Sequence, residues 1–273
     1  MGTLFLVATP IGNLEDISQR ALRILSEVSL IAAEDTRHSG KLLRHFVVET
    51  PTLSYYDHNK DAREGEILAA LSEGDVALIS DAGTPGVSDP GHELVRAAWR
   101  AGHRVVPVPG ASAALSALVA SGLPPEPFLF LGYLPRSSKP RREFLVAHAR
   151  DPWTLVAYEV PHRIIQALAD IEDAFGGERP IAVCRELTKM HEEIQRGSVR
   201  QLRASLAESA PRGEYTLVIG GAESDPRWGE AIVRAAVSER LERGDRPSSV
   251  AREVAKLAGW NRRDVYQLTL EDQ

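Results

Sequence analysis

Short apolar runs alternate along the first half of the chain with stretches whose apolar residues recur at helical spacing. Leu4–Ala8, Leu30–Ala33, Val76–Ile79 and Val105–Val108 are almost unbroken apolar runs. Runs of that length and character suit strands covered on both faces. Ile17, Ala21, Ile24, Leu25 and Val28 between them share one helical face, with Asp16 placed to cap it. Ile67, Leu68 and Leu71 predict another helix, Glu93–Arg100 a third, and Ser112–Ala120 a fourth rich in small residues. Strand and helix taking turns in this way predict a parallel sheet with helical crossovers.

The pattern breaks at Ser121-Gly122-Leu123-Pro124-Pro125-Glu126-Pro127. Prolines so closely spaced neither continue a helix nor sit in a central strand, so a domain boundary is expected there. Beyond it Phe128–Leu131, Thr154–Ala157, Ile181–Cys184 and Tyr215–Ile219 read as strands of a second α/β lobe. The strand pattern then stops. Ile232–Leu241, Val250–Leu257 after Pro247-Ser248-Ser249, and a short helix from Asn261 past Gly259 predict a helix–turn–helix tail. The expected organisation is an N-terminal α/β lobe over 1–122, a C-terminal α/β lobe over 123–228 and a helical tail over 229–273.

Composition narrows the class. A chain of 273 residues has room for two lobes. No apolar run approaches the roughly 18 residues of a membrane span, and no basic segment precedes the first apolar run as in a signal peptide. Cys184 is the only cysteine, which excludes an internal disulfide and a cysteine-rich zinc site. These features predict a cytoplasmic protein with no membrane partner. The net charge of −6 is unlike that of a general nucleic-acid binder. The excess acid lies within residues 1–135, and the rest is neutral. Arg136, Lys139, Arg141, Arg142 and Arg150 nevertheless face a single acid, Glu143. That stretch reads either as a solvated face or as a local cationic patch.

The densest candidate for chemistry is Ser80-Asp81-Ala82-Gly83-Thr84-Pro85-Gly86-Val87-Ser88-Asp89-Pro90-Gly91, between a predicted strand and a predicted helix. Ligands of an open parallel sheet collect outside the strand C-termini, and glycine lets backbone N–H groups approach a ligand closely. Asp81 and Asp89 suit a ribose or an ammonium group, with Asp89 as a helix N-cap the plainer alternative. Two further loops leave strand ends, Ala8–Asp16 and Val108–Ala113. No phosphate-loop motif and no G-x-G-x-x-G follows the first strand. In the second lobe, Cys184–Glu193 crowds titratable side chains after a strand, as does Tyr158–Arg163.

Taken in order and spacing, Ala8–Asn13, Asp81–Gly91, Val108–Ala113, Tyr158–Arg163 and Arg185–Glu193 closely resemble the tetrapyrrole (corrin/porphyrin) methylase superfamily. Within it they look like the bacterial branch that 2′-O-methylates a decoding-centre cytidine of 16S ribosomal RNA. The resemblance implies an α/β, two-lobed fold: a parallel-sheet N-terminal lobe, a mixed-sheet C-terminal lobe and the helical tail. It also implies S-adenosyl-L-methionine bound between the lobes, and a homodimer. Gly83-Thr84-Pro85 resembles the superfamily's Gly-Asp-Pro cofactor loop with Thr in place of Asp, so no role of that Asp carries over to Thr84. The implied cofactor set is Pro10, Asp81, Ala82, Gly83, Thr84, Val87, Ser88, Ser112, Ala113 and Tyr158. A ribose hydroxyl needs a base. The candidates are Glu186 and Lys189 first, the latter only if its pKa is depressed, then His191 and Glu192. Arg136, Lys139, Arg141, Arg142, Arg185 and Arg196 are the expected phosphate contacts. No metal is expected. The implied partner is ribosomal RNA, in the assembled small subunit. A tetrapyrrole-precursor methylase and a non-catalytic RNA-binding factor are the alternatives.

Overall fold

The computed structural model describes residues 2–56, 59–208, 210–222 and 228–271. It divides into two compact units, 1–220 and 221–273. The larger unit opens with β1 (Thr3–Val7), α1 (Gln19–Glu27), β2 (Leu30–Ala33), α2 (Thr36–His45), β3 (Thr52–Ser54), α3 (Lys60–Glu73), β4 (Val76–Ile79), α4 (His92–Arg100), β5 (Arg104–Val108) and α5 (Ala113–Ser121). Their strands form a fully parallel sheet in the order β3-β2-β4-β1-β5. In β4, Ala77 and Ile79 pack with Leu25 and Ile24 of α1, while Val76 and Leu78 pack with Ile67 of α3 and Leu94 of α4. Burial on both faces is why these strands read as unbroken apolar runs.

A second sheet is built from β6 (Phe128–Tyr133), α6 (Ser138–His148), β7 (Thr154–Glu159), α7 (Ile164–Phe175), β8 (Pro180–Arg185), β9 (Glu193–Ser198), α8 (Val199–Ala207) and β10 (Tyr215–Ile219). Its order is β6-β7-β10-β8-β9, with β6 parallel to β7 and the other pairs antiparallel. Helices α6, α7 and α8 cover one face. On the other face Ala114, Ala117 and Leu118 of α5 pack against Val156, Ala182, Cys184 and Val218. So α5 ends the first βα series but joins the core of the second sheet.

The fold is thus the expected α/β class, with one parallel and one mixed sheet. Three local readings are corrected. Ser18, not Asp16, caps α1 by accepting from Ala21 N–H, and Asp16 lies in a preceding 3-10 turn. Gly91 rather than Asp89 stands at the N-cap of α4. Arg141, expected at the surface, is 2% exposed. Its guanidinium lies 2.6 Å from the buried Asp170 carboxylate on α7 and also donates to Pro135 and Arg136 carbonyls.

The smaller unit holds α9 (Glu230–Glu242), α10 (Pro247–Ala258) and α11 (Arg262–Glu271). Pro247 starts α10, where its missing N–H costs nothing. Gly259 ends it in the left-handed conformation. Val233, Val237, Val250, Val254, Val265 and Leu268 form its core. Trp260 Nε1 donates to Trp228 O at 2.6 Å.

Candidate active site

The sheet order places the ends of β4, β1 and β5 side by side, with β2 next to β4. Their loops are sewn together. Thr9 N–H donates to Gly83 O at 2.9 Å and Gly83 N–H returns a bond to Thr9 O at 3.1 Å. Thr84 Oγ1 donates to Ala111 O at 3.4 Å. Gly83 sits at φ 83°, where a side chain would be strained, and Ser88 adopts φ 63° without being glycine. Asp35 N–H donates to Asp81, and Asp81 N–H donates to Glu34. The carboxylate pair Glu34–Asp81 is therefore fixed by backbone.

The second lobe faces these loops with strand-end side chains. Tyr158 Oη accepts from Ala114 N–H at 3.2 Å, tying β7 to the start of α5. The loop after β8 carries two non-glycine residues with positive φ, Glu186 (51°) and Thr188 (68°). Lys189 Nζ sits 2.8 Å from Glu186 Oε1 and 2.9 Å from Glu214 Oε2. Glu214 N–H also donates to Glu186 Oε1. A Cβ on Gly12 would lie 2.3 Å from Lys189 Cγ, so glycine there lets the two lobes' loops meet.

A cavity of about 260 Å³ lies between the lobes. Asp81, Ala82, Gly83, Thr84, Val87 and Ser88 line it from the first lobe, with Ser112 and Ala113 at the start of α5. Tyr158 lines it from the second. Of the expected cofactor set, only Pro10 stands apart, in an adjoining cavity of about 410 Å³. The two cavities share Ile11, Asp81, Ala82 and Glu214.

Glu34, Tyr133 and Tyr215, which the sequence did not single out, complete the first cavity together with Glu159 of the Tyr158–Arg163 segment. Glu159 is buried and pairs with Arg163 at 2.7 Å through Oε1, while its Oε2 has no hydrogen-bond partner. The buried Tyr215 hydroxyl has none either. Burial, aided by the charges of Glu34 and Asp81 and opposed by a hydrogen bond from Ser80, pushes the Asp89 carboxyl up to about 6. Burial likewise raises Tyr158 and Tyr133. It raises the Cys184 thiol to about 11, which excludes a thiolate nucleophile at neutral pH. The cavity is thus acidic, and two buried side-chain oxygens on its lining residues, Glu159 Oε2 and Tyr215 Oη, lack hydrogen-bond partners.

The candidate base residues look different in place. Partial burial opposes ionisation of Lys189, but its two carboxylate partners outweigh this and raise its pKa. Lys189 is an ammonium group, so the depressed amine that a basic role required is absent. Glu186 is also partly buried, yet the Lys189 and Glu214 hydrogen bonds bring its pKa below the ordinary value. Glu192 accepts from Thr188 N–H and caps the loop. His191 is exposed and lines neither cavity. Among the cations, Arg185 pairs with Glu193 at 3.3 Å, and Arg196 donates to the Ser121 and Ala120 carbonyls that end α5. Arg136, Lys139 and Arg142 are exposed.

Comparison with known proteins places this architecture. The sequence model of the Tetrapyrrole (Corrin/Porphyrin) Methylases matches residues 3–203.

The chain belongs to the tetrapyrrole methylase family.

Relatives within this methylase family cover essentially its whole length. The chain is 47% identical over 274 residues to "Ribosomal RNA small subunit methyltransferase I" of Synechocystis sp., covering 99% of this chain and 98% of that protein. A protein of the same name from Pseudomonas aeruginosa is 46% identical, with 100% and 98% covered. Solved methylase structures share the fold at lower identity. The cobalt precorrin-4 methyltransferase superposes with a TM-score of 0.62 at 18% identity, covering 80% of this chain and 94% of that one. Uroporphyrin-III C-methyl transferase from Thermus thermophilus, solved with S-adenosyl homocysteine, gives 0.56 at 20% identity, covering 80% and 97%.

Proposed function

We infer that this methylase is an S-adenosylmethionine-dependent ribosomal RNA methyltransferase. Relatives 47% and 46% identical over essentially its whole length carry ribosomal RNA methylation in their names. The cavity itself fits the cofactor. A buried Glu159 Oε2 and Tyr215 hydroxyl await donors, and Asp89, Asp81 and Glu34 present carboxyl groups suited to ammonium, sulfonium or ribose hydroxyls. The backbone of Ala82–Thr84 and the start of α5 at Ser112 and Ala113 would hold it from the first lobe, and Tyr158 from the second. When bound, S-adenosylmethionine supplies a methyl group already activated on a sulfonium. The protein's task is then to align a nucleophile with it and take up a proton.

We further propose that the nucleophile is the 2′-hydroxyl of a decoding-centre cytidine, presented by the assembled small subunit. The proton is accepted at the wall the two cavities share, where Asp81 and Glu214 are the titratable side chains. Glu186 and Lys189 act by holding that wall: the ammonium ties Glu186 to Glu214 across the loop. A homodimer is the proposed working form, and the exposed Leu115 and Val119, one turn apart on α5, offer it an apolar surface. The observation that carries the reading is the acidic cavity at the edge of a parallel sheet in a full-length relative of ribosomal RNA methyltransferases. Labelled S-adenosylmethionine should transfer its methyl to isolated small subunits and to ribose, with little transfer to naked RNA or a tetrapyrrole. Label confined to the tetrapyrrole would overturn it.

A further inference from the structure

The larger cavity, of about 410 Å³, falls in the range of small-ligand sites and opens onto the first across Ile11, Asp81, Ala82 and Glu214. Besides the shared Asp81 and Glu214, it carries basic side chains that the first cavity lacks. Helix α2 supplies His38, Lys41 and His45, and the second lobe supplies Lys189. Arg37 and Arg44 extend the same helix, and α2 carries no acid between Thr36 and His45. This is a basic element inside the acidic half of the chain. Leu14 and Leu42 give the cavity apolar walls. One observation points to a ligand independently of charge. Ser39, 2% exposed, lines the cavity, and its Oγ has no hydrogen-bond partner. A mid-helix serine either reaches solvent or bonds back to the preceding turn; the buried Ser39 Oγ does neither, so a rotation of its side chain toward the cavity would give it a partner there.

We propose that this cavity receives the target nucleotide, unstacked from its RNA, with the base between the leucines and the imidazoles and Ser39 Oγ bonded to it. Proteins read RNA chiefly through unstacked bases held on rings and apolar side chains, and extrusion brings buried atoms within an enzyme's reach. Lys41 and the exposed Arg37 meet the flanking phosphates. The ribose then lies at the shared wall, beside Asp81 and Glu214 and facing the first cavity. The assignment rests on the ribosomal RNA reading and names its substrate pocket.

Ser39→Ala is the informative variant. It removes a hydroxyl that the free protein leaves unpaired, so the thermal midpoint should hold or rise. Methyl transfer to isolated small subunits should still fall about tenfold in kcat/KM, the scale of one lost hydrogen bond to a ligand. Affinity for S-adenosylhomocysteine should not change. Leu42→Trp, which fills the cavity, should lower transfer at least a hundredfold with the same cofactor affinity. Lys41→Ala should raise KM and flatten the salt dependence. Cytidine 5′-monophosphate, added with S-adenosylhomocysteine, should shift the ring NMR signals of His38 and His45. Full transfer in Ser39→Ala and Leu42→Trp would overturn the pocket while leaving the ribosomal reading intact. So would a loss of S-adenosylhomocysteine affinity in either. Wild-type inertness on small subunits with shifted histidine signals would retain the pocket and remove the ribosomal reading; inertness with unmoved signals would remove both.

Discussion

Two stretches of this methylase are rich in cations, and they put those cations to different uses. Along α6 and the loop before it, Arg141 is the most deeply placed charge. It is spent on Asp170 and on two carbonyls inside the lobe, while Arg136 and Lys139 are exposed and Arg142, also exposed, comes within 3.9 Å of Asp170. Along α2, His38, Lys41 and His45 border a cavity beside the proposed cofactor site. The first stretch stands out in the sequence because its neighbourhood is neutral; the second is hidden in an acidic half. Local charge density therefore does not report which cation is paired inside the lobe and which borders a cavity. Which side of a helix packs decides what each cation meets.

The sharpest way to break this contrast is Arg141→Ala. It strands a buried Asp170 carboxylate, and removing one partner of a buried pair costs about 3–5 kcal/mol. Urea unfolding should show that loss, whereas the double variant Arg136→Ala/Lys139→Ala should stay within about 0.5 kcal/mol of wild type. Equal stabilities would mean that the Arg141–Asp170 pair is not structural. Next in size is Gly12→Ala. Its new methyl group meets the Lys189 stem, so the Lys189–Glu214 tie shifts and methyl transfer should drop tenfold or more in kcat. Unchanged single-turnover rates would show that the Lys189 loop does not set the reacting geometry.

RNA binding compares the two stretches directly. Losing one phosphate contact lowers the slope of log affinity against log salt by about 1. Lys41→Ala should show that decrease, and Arg142→Ala should not. The reverse outcome would hand phosphate binding back to α6. The smallest effect concerns Asp89. Its folded-state pKa of about 6 lies above the ordinary aspartate value of 3.8. Its stabilising contribution is therefore full below about pH 4 and is lost as pH rises through about 6. Above that the free protein carries a disfavoured carboxylate. Asp89→Asn should raise the melting temperature at pH 7.5 and do little at pH 4. It should also flatten the rise in cofactor affinity through pH 6. A stabilisation equal at both pH values would remove the electrostatic explanation.

Much of the architecture was legible because burial on both faces leaves a simple trace. The strands β1, β2, β4 and β5 announce themselves as apolar runs, and the prolines at 124, 125 and 127 mark the passage to the second sheet. Other elements left little trace. β3 is only 3 residues long and none of them is fully buried. α2 buries only Ser39 and Leu43, too thin a stripe for periodicity to register. The loop Ser80–Gly91 was legible as a ligand loop from its glycines, prolines and aspartates. Glu34 and Tyr215 were not, since each follows or sits in an ordinary-looking strand.

The sequence by itself determined the elements, the class of fold and the family, because these depend on local periodicity, turn chemistry and motif order. Only the tertiary structure decided that β4, β1 and β5 lie adjacent, that α5 joins the second sheet, and that Lys189 is locked between two carboxylates. The reason is physical. Strand order, burial and pKa arise from contacts between residues far apart in the chain, and one residue's neighbours along the sequence do not specify them.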